Sequence, residues 1–233
     1  MKEMGSMKYL YVVLLLAAMI TLSCSNENGK EARLGTGQIV WNINNLAVIG
    51  GHEIAITGFP NFIDTPSGKA IVFDGEQDGL QVTDHPLSRA EKFTLEIIFC
   101  PYPDGPKEQC VLHLQEDGSE NRLLVKTRLT DDNQWYLETF MSSADGNQTL
   151  SDSTQVHPLG EWFNGTLVFD GVEARLYVNG VLEFSAEIPD FTPYQEGLIS
   201  IGVSKNKTYW FKGAIIKTCF TRSALSPEEF LKP

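Results

Sequence analysis

From residue 36 onward, short apolar or alternating runs follow one another, each bounded by turn residues, with no helix-length amphipathic segment before the last eight positions. The runs cover 39–43, 70–73, 80–82, 93–99, 111–115, 123–129, 135–141, 163–169, 174–178, 182–188, 198–203 and 215–221. Asp170-Gly171 separates two of them and Asn179-Gly180 the next two; both dipeptides favour the positive φ angles of tight hairpins. A dozen strands in one flat sheet would leave long edges and a wet apolar face, so the pattern predicts two facing antiparallel sheets. At the end of the chain, Ser226-Pro227-Glu228-Glu229 carries an N-cap serine, a proline at the first helical position and a glutamate placed to close a capping box. It predicts a short C-terminal helical turn. No internal repeat or linker interrupts residues 36–233, which read as one domain.

The segment before that domain reads as an export signal. Lys8 precedes the apolar run 9–20, which is shorter than the roughly 20 residues a membrane span needs. It ends in Thr21-Leu22-Ser23-Cys24, which resembles a bacterial lipobox with Thr in place of the usual Leu; Met7 is an alternative start. On this reading residues 1–23 are a lipoprotein signal peptide, Cys24 is acylated, and 24–35 form a polar tether to the membrane. The expected location is the bacterial cell envelope, at the outer membrane or cell surface. Ordinary secretion with a free Cys24 is the alternative.

Composition narrows the partners. The formal charge is −12, and loss of Lys2, Glu3 and Lys8 with the leader would make the remainder one unit more negative. Such a chain repels a phosphate backbone, so nucleic acid is not an expected partner. Beyond Cys24 the cysteines are Cys100, Cys110 and Cys219. A Cys100–Cys110 bridge across a hairpin mouth and three buried free thiols are both open readings. No CxxC pair or Cys/His spacing supports zinc.

A set of motifs recurs in order: Phe73-Asp74-Gly75 then Asp78, Phe93-Thr94-Leu95-Glu96, Glu161-Trp162, Phe169-Asp170-Gly171, Leu176-Tyr177-Val178-Asn179-Gly180, Phe211-x-Gly213 and Leu225-Ser226-Pro227-Glu228-Glu229. Over residues 70–230 the chain resembles the bacterial LamG-like (laminin G-like) proteins of the concanavalin A-like lectin/glucanase superfamily. The resemblance implies a jelly roll of two curved antiparallel sheets. It leaves sugar binding, glycan cleavage and plain adhesion open. Most motif residues also have structural readings, as core or turn positions. Asp74 and Asp78 are a weak calcium candidate, two carboxylates where calcium takes 6–8 oxygens; no other cofactor is expected.

Strand alternation points to one face. Arg122, Lys126 and Arg128 share a parity, opposite to Leu123, Val125 and Thr127. If the neighbouring runs flank this strand, one face collects His113, Arg122, Lys126, Arg128, Tyr136 and Glu138. Such a face would suit an anionic or hydroxyl-rich glycan, because guanidinium forks match carboxylates and aromatic rings stack on sugars. The plainer reading is a solvated face of Arg/Lys–Glu cross-strand pairs. Trp210, in the stretch 208–211, is a further stacking candidate.

For catalysis, no strand offers a Glu-x-Asp-x-x-Glu array, and the acidic stretch 116–120 contains Gly118 and reads as a turn. A lyase-like group of His113, Tyr136 and Arg122 is the nearest alternative. The leading expectation is an exported lipoprotein with a carbohydrate-binding domain. A glycoside hydrolase or polysaccharide lyase on the same fold, or a structural adhesion domain, is the alternative.

Overall fold

The computed structural model describes residues 32–34, 37–143, 146–188 and 191–233. The expected signal peptide, Cys24 and nearly all of the expected tether lie outside the described residues. Among the described residues, eighteen strands, β1 to β18 in chain order, form two antiparallel sheets.

Sheet I runs in the order β1 (Ala32–Leu34), β2 (Gln38–Asn42), β18 (Lys212–Thr221), β8 (Phe93–Pro101), β14 (Phe163–Phe169), β15 (Glu173–Val178) and β16 (Val181–Glu187). Ahead of β2, the same edge of β18 pairs through residues 212–215 with β6 (Gly68–Asp74), which carries β5 (Asn61–Thr65), while β8 takes the opposite edge. Sheet II runs β12 (Gly146–Ser151), β11 (Gln134–Ser143), β10 (Arg122–Leu129), β9 (Glu108–Glu116), β17 (Gly197–Ile201), β7 (Gly79–Val82), β4 (His52–Thr57) and β3 (Val48–Ile49). The two-residue β13 (His157–Pro158) pairs with β11. All twelve expected runs are strands. The six that were not expected (β1, β3, β4, β5, β12 and β13) are short, polar or half-exposed, so they lack the apolar stripe by which a strand shows itself in sequence.

The sheets close on one core. Trp41, Phe73, Phe93, Phe99, Trp135, Phe169, Phe211 and Phe220 are all fully buried between them. Trp135 makes edge-to-face contacts with Phe99 and Phe163, at centroid distances of 5.2 and 5.0 Å, and donates its indole N–H to the Pro158 carbonyl at 3.1 Å. Leu123, Val125 and Thr127 point into this core, as their parity predicts. The Asn179-Gly180 turn joins β15 to β16 with φ of 51° and 81°, both positive as a type I′ hairpin demands.

Sheet I also has a covered outer face. Ala70, Ile98, Cys100, Ala214 and Ile216 pack there with Trp162 and Leu231, and Phe230 meets Tyr177 edge-to-face at a centroid distance of 5.1 Å. The C-terminal segment crosses this layer. It contains the expected helical turn, a single 3-10 turn at Pro227–Glu229, whose Glu229 carboxylate accepts the Ser226 backbone N–H at 2.9 Å. Glu96 lies beneath the segment, fully buried, and accepts the Leu231 N–H at 2.6 Å.

The cysteines settle on one of the two open readings. Cys100, Cys110 and Cys219 are buried free thiols. The β8–β9 connection is not a hairpin: Cys100 belongs to sheet I and Cys110 to sheet II, so the loop between them crosses the sandwich. Burial raises all three thiol pKa values, those of Cys100 and Cys219 to about 11, which makes them poor nucleophiles.

Candidate functional site

The outer face of sheet II carries the polar side chains grouped by alternation, because β9, β10 and β11 are adjacent. On β10 the outward residues are Arg122, Leu124, Lys126 and Arg128; their β11 partners are Ser142, Phe140, Glu138 and Tyr136. His113 pairs with Leu124 from the other side.

A bulge then changes the composition of this face. Val125 pairs with Leu112, but Lys126 pairs with Cys110, so Val111 is the extra residue and turns into the core. Beyond the bulge the parity of β9 reverses. Glu108, which simple alternation from His113 would send inward, comes out opposite Arg128.

Glu108 reaches both central cations. The Lys126 ammonium lies 2.7 Å from Glu108 Oε1 and 2.6 Å from Glu138 Oε1. Arg128 donates through Nη1 to Glu108 at 2.7 Å and through Nε to Glu138 Oε2 at 3.0 Å. Two cations and two carboxylates thus form a closed ring, largely shielded at Lys126 and Glu138, whose side chains are 10% and 6% exposed. Burial alone would raise the Glu138 pKa, but hydrogen bonds from Lys126 and Arg128 and their charges outweigh it and hold the carboxyl below its ordinary range. The expected cationic character of Lys126 and Arg128 is therefore corrected: their charges are cancelled within the sheet face.

Beside the ring, a cleft of about 400 Å³ opens between this face and the loop that follows β17. His113, Arg122, Lys126, Phe140, Lys205 and Tyr209 are among the side chains that line it. The loop is fastened rather than loose. Ser204 Oγ accepts the Thr208 N–H at 3.1 Å, the Tyr209 carbonyl accepts the Cys110 N–H at 2.7 Å, and the Lys205 N–H donates to His113 Nδ1 at 2.9 Å. Lys207 and Tyr209 both hold φ near 57°, a left-handed conformation unusual for long side chains, and Tyr209 is thereby set over Lys126, its ring 5.7 Å from the ammonium. Arg122 lies over the Phe140 ring at 5.1 Å and pairs with Glu120, whose side chain is 93% exposed.

Other expected positions are placed differently. Trp210 is half-buried against Gly79 and does not line the cleft; the aromatic that does is its neighbour Tyr209, 43% exposed. Tyr136 pairs with Arg128, six residues along β10 from Arg122, a separation of about 20 Å at roughly 3.3 Å per residue. The lyase-like group of His113, Tyr136 and Arg122 is thus not assembled in this fold. Asp74 Oδ1 accepts backbone N–H groups of Glu76, Gln77 and Asp78 at 2.9, 2.9 and 3.0 Å, and Asp78 Oδ1 accepts that of Phe59 at 2.7 Å. These carboxylates cap a turn, and among the described residues no group of three or more His, Cys, Asp or Glu is arranged to hold a metal ion. The calcium candidate gives way to the turn reading.

The pattern of the Laminin_G_3 family, of the concanavalin A-like lectin/glucanases superfamily, matches residues 74–230, two-thirds of the chain. The chain belongs to this superfamily. Solved structures with the concanavalin A-like fold agree with the sandwich. Domain 4 of AbnA, a GH43 extracellular arabinanase from Geobacillus stearothermophilus solved in complex with arabinotriose, is 22% identical, with a TM-score of 0.57, over 86% of this chain and 97% of that one. The receptor-binding domain of botulinum neurotoxin C/D mosaic serotype is 15% identical, with a TM-score of 0.63, over 84% of this chain and 50% of that one. The binding domain of Paraclostridial Mosquitocidal Protein 1 is 14% identical, with a TM-score of 0.63, over 84% and 51%. The chain thus spans about half the length of the two toxin structures. No curated protein matches it. At these identities the likeness shows the concanavalin A-like fold alone.

Proposed function

We propose that the protein is a non-catalytic glycan-binding domain, carried to the bacterial cell envelope by a lipid on Cys24, which takes its ligand in the cleft under Tyr209. The observation that carries this reading is the cleft itself: an open polar trough with two aromatic rings, Phe140 and Tyr209, and an imidazole, His113, in its wall. Aromatic faces match the apolar faces of sugar rings, and fixed polar groups match their hydroxyls. A solved neighbour of the same fold that holds arabinotriose lends support by analogy.

The ring of ion pairs favours binding over hydrolysis. A glycosidase acid must hold its proton at working pH. Glu138 is held ionised by Lys126 and Arg128, and both oxygens of Glu108 are taken by the same two cations. Neither carboxyl is placed to protonate a leaving group.

The test is calorimetric titration of the purified protein with a panel of neutral and acidic oligosaccharides, repeated with Tyr209→Ala. Stacking contributes about 1 kcal/mol beyond simple burial, so the variant is expected to bind several-fold to tenfold more weakly. Silence across the whole panel would overturn the glycan reading and favour an adhesion domain. New reducing ends or unsaturated sugars during incubation would overturn the non-catalytic part.

A further inference from the structure

We propose that the cleft is built for an acidic sugar, whose carboxylate is received by the Nε2–H of His113 together with the side chains of Arg122 and Lys205. This rests on the glycan-binding reading and adds the chemical class of the ligand.

His113 is 3% exposed. Its Nδ1 accepts the Lys205 N–H, so the neutral ring carries its proton on Nε2. That Nε2 makes no hydrogen bond of good geometry among the described residues, although the ring borders the cleft and interacts with the neighbouring Gln115 side chain. A buried donor without an acceptor is costly, and a ligand oxygen entering the cleft would satisfy it.

The charges on the face divide into two groups. Lys126 and Arg128 are cancelled by Glu108 and Glu138. Among the described residues, the carboxylate that Arg122 pairs with is that of solvent-exposed Glu120, a weak attachment that a better-placed anion can displace, and Lys205 has no carboxylate within ion-pair distance. Both cations line the cleft with His113. Their influence converges on the imidazole: burial first, then Arg122 and Lys205, hold its pKa down to about 4, so at neutral pH it is an uncharged donor beside two positive charges. In a chain of net charge −12, two such cations and an unfilled donor form a local site for an anion. Hydroxyls alone would leave the charges unanswered, whereas a uronate carboxylate supplies one oxygen to the imidazole and another to a cation.

Matched oligosaccharide pairs that differ only at C6 test this: oligogalacturonate against oligogalactose, oligomannuronate against oligomannose, and oligoglucuronate against cello-oligosaccharide. Calorimetry on the full folded protein is expected to show at least one acidic member binding about tenfold or more tighter than its neutral partner. That preference should fall to about threefold or less in Lys205→Glu, a substitution at the rim of the cleft, and in His113→Gln. Circular dichroism of each variant confirms its fold, and Arg122→Ala serves where His113→Gln does not fold. Equal affinity within every pair, or binding of neutral members only, would overturn the acidic-ligand inference and leave glycan binding standing. Acid preference that survives Lys205→Glu together with His113→Gln or Arg122→Ala would place the carboxylate elsewhere and overturn it as well. If no pair binds, the inference falls together with the reading beneath it.

Discussion

Lys126→Met removes one charge from the ion-pair ring while keeping most of the apolar stem. In the native protein the ammonium is held at 2.7 and 2.6 Å by Glu108 and Glu138, and the Glu138 side chain is only 6% exposed. Without Lys126, two carboxylates share a single cation, Arg128, in a partly dehydrated setting. Breaking a buried pair from one side costs about 3–5 kcal/mol, and because Arg128 still touches both carboxylates the low end applies, about 3 kcal/mol. For a folded unit of this size that corresponds to a fall in Tm of about 6–12 °C. Urea unfolding followed by fluorescence, with a thermal melt beside it, measures both quantities. The double variant Lys126→Met/Glu138→Leu leaves one carboxylate with one guanidinium, and its stability should return to within about 1 kcal/mol of the parent. The pH profile should also move. Glu138 has a folded pKa below its unfolded value, so its contribution is present above the unfolded value and is lost as pH falls through the folded one. Losing Lys126 raises the folded pKa, and acid unfolding should begin at a higher pH. A single variant costing less than about 1 kcal/mol would mean that the ring behaves as a solvated surface pair, and would refute the reasoning.

Two further substitutions probe the frame around the site. Gly202, between β17 and the cleft loop, holds φ at 76°, and a Cβ there would lie 2.2 Å from the Phe73 ring; Gly202→Ala should cost about 3 kcal/mol or more from overpacking and backbone strain, read by urea unfolding, and a loss under about 1 kcal/mol would contradict the packing described. Burial raises the Glu96 pKa despite hydrogen bonds from Leu231 and Asn164, so the folded state holds a proton that the unfolded state gives up, and stability should fall as pH rises from the unfolded value near 4.5 through the raised folded one. Glu96→Gln should abolish that decline, and a variant whose stability curve between pH 4 and 8 parallels the parent would show that Glu96 ionises freely.

Much of the frame was legible along the chain. Twelve strands announced themselves because each carries either a continuous apolar run or an apolar stripe of period two. The inward set Leu123, Val125 and Thr127 followed from the same rule, and the Asn179-Gly180 hairpin from the conformational freedom of its two residues. The likeness to LamG-like proteins rested on motifs of this kind, which are turns and core positions. Strands such as β12, at a sheet edge, and β4, next to the two-residue edge strand β3, show no stripe because strands there bury little.

The site was legible only in outline. Alternation placed His113, Arg122, Lys126, Arg128, Tyr136 and Glu138 on one face, but it assumed an unbroken period of two along β9. The bulge at Val111 brings Glu108 outward and turns an expected cationic patch into a neutral ring. Nothing in the stretch 208–211 distinguishes Tyr209 from Trp210; the left-handed turn at Tyr209 and the anchoring of its carbonyl by Cys110 decide which ring meets the cleft. Cys100 and Cys110 stand ten positions apart, as in a hairpin, yet the chain carries them into different sheets.

Local physics, acting through side-chain size, turn chemistry and periodicity, therefore determined where this chain forms strands and which faces it buries. Which strand lies beside which, where the register slips, and which charges meet were decided by the closing of the two sheets. Those choices depend on contacts between residues far apart in sequence, whose energies no local pattern records.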